Sequence, residues 1–149
     1  MEAMTFSIEV GRTPEEVFAL ISDIERHGQW SPQEFEVERL ADGPTGVGTR
    51  YRTNGRKGAR RGVLRENEVV ITEFEPPTRF GFAATEKAGT YRTTFVITSV
   101  TGGSRIERIV EPPDRGATAF VRHRLLAPVV RRYVQQNMDA LKTRLERSG

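Results

Sequence analysis

The sequence predicts an α+β fold: one strand, two short helices, about six further antiparallel strands and a long C-terminal helix. Three observations carry this. Thr13-Pro14-Glu15-Glu16 is a helix-start signature directly after a strand-like segment. Between Phe35 and Val110, apolar residues recur at every second position between turn-forming residues. Beyond Pro113 the apolar period lengthens to that of a helix.

Taken in order, Thr5 to Val10 alternates, with Phe6, Ile8 and Val10 on one side. Thr13 is a good N-cap, Pro14 suits the first helical position, and Glu16 completes a capping box. Val17, Leu20, Ile21 and Ile24 recur at helical spacing and mark a buried face. Asp23 can cap a second short helix, Gly28 can end it, and Pro32 prevents continuation. Phe35 to Leu40 alternates, Ala41 to Gly46 reads as a turn, and Thr49, Tyr51 and Thr53 share a face. Asn54 to Gly62, with three glycines and four basic residues, reads as an exposed hairpin connection. Val63 to Phe74 is a long strand ended by Glu75-Pro76-Pro77-Thr78. Phe80, Phe82 and Ala84 face one way in the next strand, as do Tyr91, Thr93, Phe95 and Ile97 in the one after. Gly102-Gly103 is a hairpin signal, and Ile106 to Val110 is the last strand, closed by Pro112 and Pro113.

With Val134 as reference at about 100° per residue, Val130, Met138, Leu141 and Leu145 share one helical face. Ala127, His123 and Phe120 join that face if the helix runs through Pro128. Pro128 projects to the opposite side, and either kinks the helix or starts it. Arg131, Arg132, Lys142 and Arg144 lie off the apolar centre.

The chain of 149 residues has no internal repeat or linker, so residues 1–149 are expected to form one domain. The absence of cysteine excludes disulfides, a thiolate nucleophile and a cysteine metal site. Two distant histidines give no ligand spacing, so no metal is expected. Gly46-Val47-Gly48 precedes a strand rather than a helix, which argues against a nucleotide and leaves no cofactor expected. The N-terminus carries Glu2 and no apolar h-region, and the longest apolar runs are too short for a bilayer. A cytoplasmic protein without a membrane span is the expectation. The net charge of +3 and pI of about 9.7 permit an anionic partner without demanding one.

The order of elements resembles the START-related helix-grip superfamily, which includes polyketide cyclase/dehydrase and lipid-transport domains (SRPBCC). The residues that carry it are Thr13-Pro14-Glu15-Glu16-Val17-Phe18 leading to Trp30-Ser31-Pro32, then Gly46-Val47-Gly48-Thr49-Arg50-Tyr51 opening a strand. Gly102-Gly103-Ser104-Arg105-Ile106 turns into the last strand, and the helix around Leu125-Leu126-Ala127-Pro128 ends the chain. The resemblance spans nearly the whole sequence. It implies a helix-grip fold, a curved antiparallel sheet of about seven strands wrapped around the C-terminal helix with a cavity between them. It also implies an apolar ligand such as a lipid, polyketide or aromatic metabolite. A minority of such proteins are cyclases or dehydrases, and others are co-chaperones or protein partners.

On that expectation Tyr51, Phe82, Tyr91 and Phe95 point inward from the strands, and Phe120, His123, Val130, Val134, Asn137 and Met138 face them from the helix. Trp30 leaves the short helices near the expected pocket mouth. Tyr51, Tyr91 and Asn137 can offer polar tips to a carbonyl, although the same residues also suit plain core packing. His123, Tyr91 and Tyr51 are the candidate proton-transfer groups, although His123 also suits a hydrogen-bonded core or rim histidine. His27 falls in the last turn of the second helix, where the dipole favours a cation, and reads as structural or solvated. The basic run Arg50, Arg52, Arg56, Lys57, Arg60, Arg61 and Arg65 reads as a solvated surface. It lacks the interleaved aromatics of a single-strand binder, which argues against nucleic acid. An inward-facing Arg65 or Arg108 would differ, because an arginine in an apolar pocket pairs with a carboxylate of the protein or of the ligand.

The leading functional reading is therefore a binder of an apolar small molecule, acting as a monomer or homodimer. The alternative is an aromatase/cyclase-type enzyme acting on a polyketide-like chain. The third is a co-chaperone-like protein-interaction module, which an exposed apolar patch would favour.

Overall fold

The computed structural model describes residues 3–27, 35–40, 42–55, 66–86, 89–111 and 116–147, without the side chains of 35, 36, 54, 55, 66, 67, 86, 116–124 and 126. Strand β1 (Met4–Val10) leads to helix α1 (Pro14–Ile21) and a 3-10 turn (Ile24–Arg26). Strands β2 (Phe35–Arg39), β3 (Arg50–Gly55), β4 (Glu66–Glu75), β5 (Arg79–Glu86), β6 (Gly89–Val100) and β7 (Gly103–Glu111) follow, and helix α2 (Gly116–Arg147) ends the chain. The strands form one seven-stranded sheet in the order β1-β7-β6-β5-β4-β3-β2. Every pairing is antiparallel. This is the helix-grip arrangement, with α2 packed along the sheet. Among the described residues, no helix is long and apolar enough to cross a membrane.

Helix α1 begins as its sequence dictates. The Glu16 amide donates to Thr13 Oγ1 at 3.2 Å, while the Glu16 carboxylate turns to Arg12 at 3.4 Å. The helix buries Val17, Phe18, Leu20 and Ile21. Phe18 packs edge-on against Phe74 at 5.2 Å and Phe80 at 6.2 Å between ring centroids. Asp23 stands before the 3-10 turn but makes no side-chain cap, and Gly28 lies outside the described residues.

Cross-strand partners in an antiparallel sheet share a face, so the register gives the concave side directly. One row runs Phe6, Arg108, Phe95, Phe80, Phe74 across five strands. The next runs Val110, Thr93, Phe82, Ile71, and the one after it, toward β2, runs Tyr91, Ala84, Val69, Tyr51, Arg39. Strand β4 slips register between Ile71 and Glu73. This bulge lets Val69, Ile71 and Phe74 all face inward, which strict alternation forbids, and it bends the strand. Because the period breaks there, alternation alone does not show it.

One end of this concave side is filled. Arg12 Nε donates to the Leu145 carbonyl at 2.8 Å, and Ser104 Oγ donates to the Arg12 carbonyl at 2.6 Å. These bonds hold the last turn of α2 beside the β6–β7 hairpin. Val134, Met138, Leu141 and Leu145 of α2 join Val10, Ile97 and Ile106 in the core. Gly103 must lack a side chain here, since a Cβ would overlap the Val10 carbonyl oxygen. Strand β7 starts at Gly103 rather than Ile106.

Helix α2 is continuous from Gly116 through Pro128, so Pro128 does not start it. The ring is exposed, as its projection away from the apolar face requires. Arg50 pairs with Glu68 and Arg52 with Glu38 across neighbouring strands. The acids missing from the basic run in sequence are thus supplied by the adjacent strands, and residues 56–65 lie outside the described residues.

Leu141 is fully buried and Leu125 is 74% exposed on the same helix. Leu141→Ala is expected to lower unfolding free energy by about 2–5 kcal/mol. Leu125→Ala should change it by under about 0.5 kcal/mol in urea denaturation.

Candidate functional site

Away from the hairpin end, the inward-facing side chains among the described residues are less completely buried. Phe82, Ala84 and Tyr91 face inward yet keep solvent exposure, and so do Ala127 and Val130 on α2. Phe82, Ala84, Ala127 and Val130 border the buried core without entering it. These side chains, on β5 and β6 and on the middle of α2, are the accessible apolar surface that the described residues leave on the concave side.

The sequence-expected residues divide around this surface. Phe95, Val134 and Met138 are in the closed core. Phe82, Tyr91 and Val130 belong to the accessible surface. Asn137 is 6% exposed and stands between the two. Tyr51 is 2% exposed; burial raises its hydroxyl pKa, while the nearby Arg39 and a hydrogen bond with Thr45 oppose the rise. Arg39 Nη1 in turn donates to Thr45 Oγ1 at 2.9 Å. Tyr51 and Tyr91 share a row but are three strands apart, about 14 Å at ~4.8 Å per strand. Trp30 lies outside the described residues, as do the side chains of Phe120 and His123 on α2. A shallow surface dent of about 280 Å³ lies beside the β6–β7 hairpin, lined by Arg12, Thr13 and Ser99 among others. None of the expected ligand residues borders it.

A polar group stands at the boundary between filled core and accessible surface. Arg108 faces inward, with Nη1 donating to Asn137 Oδ1 at 2.9 Å. Its guanidinium carbon lies 5.2 Å from the centroid of Phe95, a cation–π contact. Burial lowers its pKa to about 10, partly opposed by the neighbouring Tyr133. The group still carries its charge at neutral pH. Tyr133 sits one turn before Asn137 on the same flank of α2.

His27 completes the group, in the structural role expected of it and without the charge that a helix end favours. It is 8% exposed, with Nε2–H donating to the Ile21 carbonyl at 2.6 Å. Its ring stands edge-on to Phe82 at 6.0 Å. Desolvation, opposed by the bond to Ile21 and reinforced by Arg108, lowers its pKa to about 4. Burial therefore outweighs the helix dipole, and the imidazole is neutral at pH 7. No local pattern signals His27, because its burial depends on Phe82, 55 positions away. Tyr133, which is 40% exposed, likewise carries no local signal, since it lies at the edge of the helical apolar face.

The unfolded chain takes up the His27 proton near pH 6.5, and the folded chain only near 4. Between these values the unfolded state binds more protons, so stability falls as pH drops. The loss attributable to His27 is up to about 3 kcal/mol. Urea midpoints at pH 7 and pH 4.5 should show a smaller pH-dependent drop in His27→Phe than in the wild type.

Comparison with known proteins agrees with this architecture. The solved structure of CV1439 from Chromobacterium violaceum is 18% identical, with a TM-score of 0.74 over 98% of this chain and 99% of that one. TTHA0849 from Thermus thermophilus is also 18% identical, with a TM-score of 0.73 over 99% of each chain. The crystal structure of Ara h 8.0201 matches at 13% identity and a TM-score of 0.69, covering 97% of both chains. At such identities the likeness shows the fold alone. No curated protein matches the sequence significantly. The profile of one family matches residues 1–146. Membership implies binding of hydrophobic molecules in general terms. The chain belongs to the polyketide cyclase/dehydrase and lipid transport family.

Proposed function

We propose that this protein binds an apolar small molecule, such as a lipid, polyketide or aromatic metabolite, in the recess between β5, β6 and α2. The observation that carries this reading is that Phe82, Ala84 and Tyr91 face the concave side and remain accessible. In a filled core they would be closed off, as Phe80 and Phe95 are at 0% and 1% exposure. The driving force is removal of apolar surface from water, about 25 cal/mol per Å². The fold then acts by enclosure, without a chemical step. The cyclase reading needs proton-transfer groups within about 3 Å of one reacting position. The 14 Å or so between the strand positions of Tyr51 and Tyr91 does not favour it. A protein-interaction role has one observation in its favour, the exposed Leu125 and Val129 on the back of α2. Two side chains fall well short of the area a stable interface buries, so this reading stands second.

The test is native mass spectrometry of protein purified from its own host, together with titration of 1-decanol by calorimetry. A co-purifying apolar molecule and measurable alcohol binding are expected. Ala84→Trp, which fills the recess, should weaken alcohol binding by about tenfold or more, roughly the worth of two buried methylenes. Absence of any apolar ligand and of alcohol binding would overturn the reading.

A further inference from the structure

Enclosure of an apolar molecule gives Arg108 no role. The residue occupies a core row between Phe6 and Phe95, where an aliphatic side chain would pack at lower cost. Among the described residues it makes no ion pair. Its Nε–H is buried and has no acceptor. The titratable groups coupled to it are His27, which is neutral at pH 7, and the Tyr133 phenol. A cation held in apolar surroundings without a counter-charge is costly, and a donor left without an acceptor adds to that cost.

The geometry of the remaining donors is informative. Asn137 accepts from Nη1, which leaves the Nε–Nη2 edge of the guanidinium. That edge carries two parallel N–H groups, the fork that a carboxylate matches with its two oxygens. One buried positive charge balances one negative charge. A phosphate monoester would bring a second charge with nothing to offset it.

We infer that Arg108 is the anion subsite of the recess, and that the ligand is an amphipathic acid, an apolar body ending in a single carboxylate. This inference rests on the binding role proposed above. The carboxylate takes the Nε–Nη2 edge after a small turn of the guanidinium, because Nε is closed to water in the empty protein. Asn137 holds the guanidinium from the other side. The apolar body extends from this boundary into the recess, past Phe82, Tyr91 and Val130.

The experiment compares decanoate with 1-decanol, the same chain with and without the charge, by calorimetry at pH 7.5. Wild-type protein should bind decanoate more tightly by about tenfold or more, the worth of one charge-assisted hydrogen bond. Arg108→Met should lose that preference. Because a core variant can fold poorly, the Arg108 Nε–H resonance of the wild type provides an independent readout. It should shift on addition of decanoate and not of 1-decanol. Equal affinity for the two probes, or a preference that survives in Arg108→Met, would overturn the anion subsite and leave the apolar pocket intact. Failure of both probes to bind would overturn the pocket and the subsite together.

Discussion

The bonds that tie the last turn of α2 to the β6–β7 hairpin fix where this sheet and its helices pack, and the rest of the structure follows from that anchoring. Helix α1 and the C-terminal half of α2 close the hairpin end, where Val17, Ile21, Leu141 and Leu145 meet Ile97 and Ile106. The Arg12 bonds to Leu145 and from Ser104 fix α2 at that end. The helix cannot slide along the sheet, because sliding would break these bonds and open the packed core. Close packing is therefore concentrated where the elements are tied, and among the described residues partly exposed apolar surface remains at Phe82, Ala84 and Tyr91.

The boundary between these two regions is where polar groups become tolerable. Deep in the packed end a charge would meet only apolar neighbours, and on the accessible surface it would be hydrated. Arg108 and Asn137 stand between, with the ring of Phe95 beneath the guanidinium and the Asn137 amide against one of its nitrogens. His27 shares this zone, and the same desolvation that depresses its pKa also presses on Arg108. Burial is the main reason the imidazole gives up its proton, and the charge of Arg108 adds to it. The aromatic run from Phe18 through Phe80 and Phe82 to His27 supplies the dry environment that makes this necessary.

Much of this is legible in the residues. The Thr13 cap, the alternating strands and the face set by Val130, Val134, Met138, Leu141 and Leu145 depend on neighbours close in sequence, so periodicity and capping chemistry reveal them. The bulge in β4 is not legible, because an extra residue looks the same as a phase change in an imperfect alternation. Orientation of Arg108 follows from alternation with Ile106 and Val110. That no carboxylate among the described residues pairs with it does not, because this depends on which acids the fold brings near. His27 escapes a local reading for the same reason: nearby sequence gives the helix end, but only the tertiary structure gives the aromatic cover. Charge and burial at the site are long-range properties, while the scaffold is largely local.

The placement of a cation at the inner boundary of the proposed recess also bears on selectivity. Apolar contact by itself discriminates poorly, since one methylene more or less changes affinity only modestly. A buried group with an unused donor edge discriminates by penalty, because every occupant that fails to pair with it leaves the cost of its desolvation unrelieved. Under the proposed reading, Phe82, Tyr91 and Val130 set how much apolar body is accepted, and Arg108 sets which end of the molecule enters first. The structural cost carried by the empty protein at Arg108 then becomes the source of preference in the occupied one. An aliphatic residue in its place would give a more stable sheet and a less selective pocket.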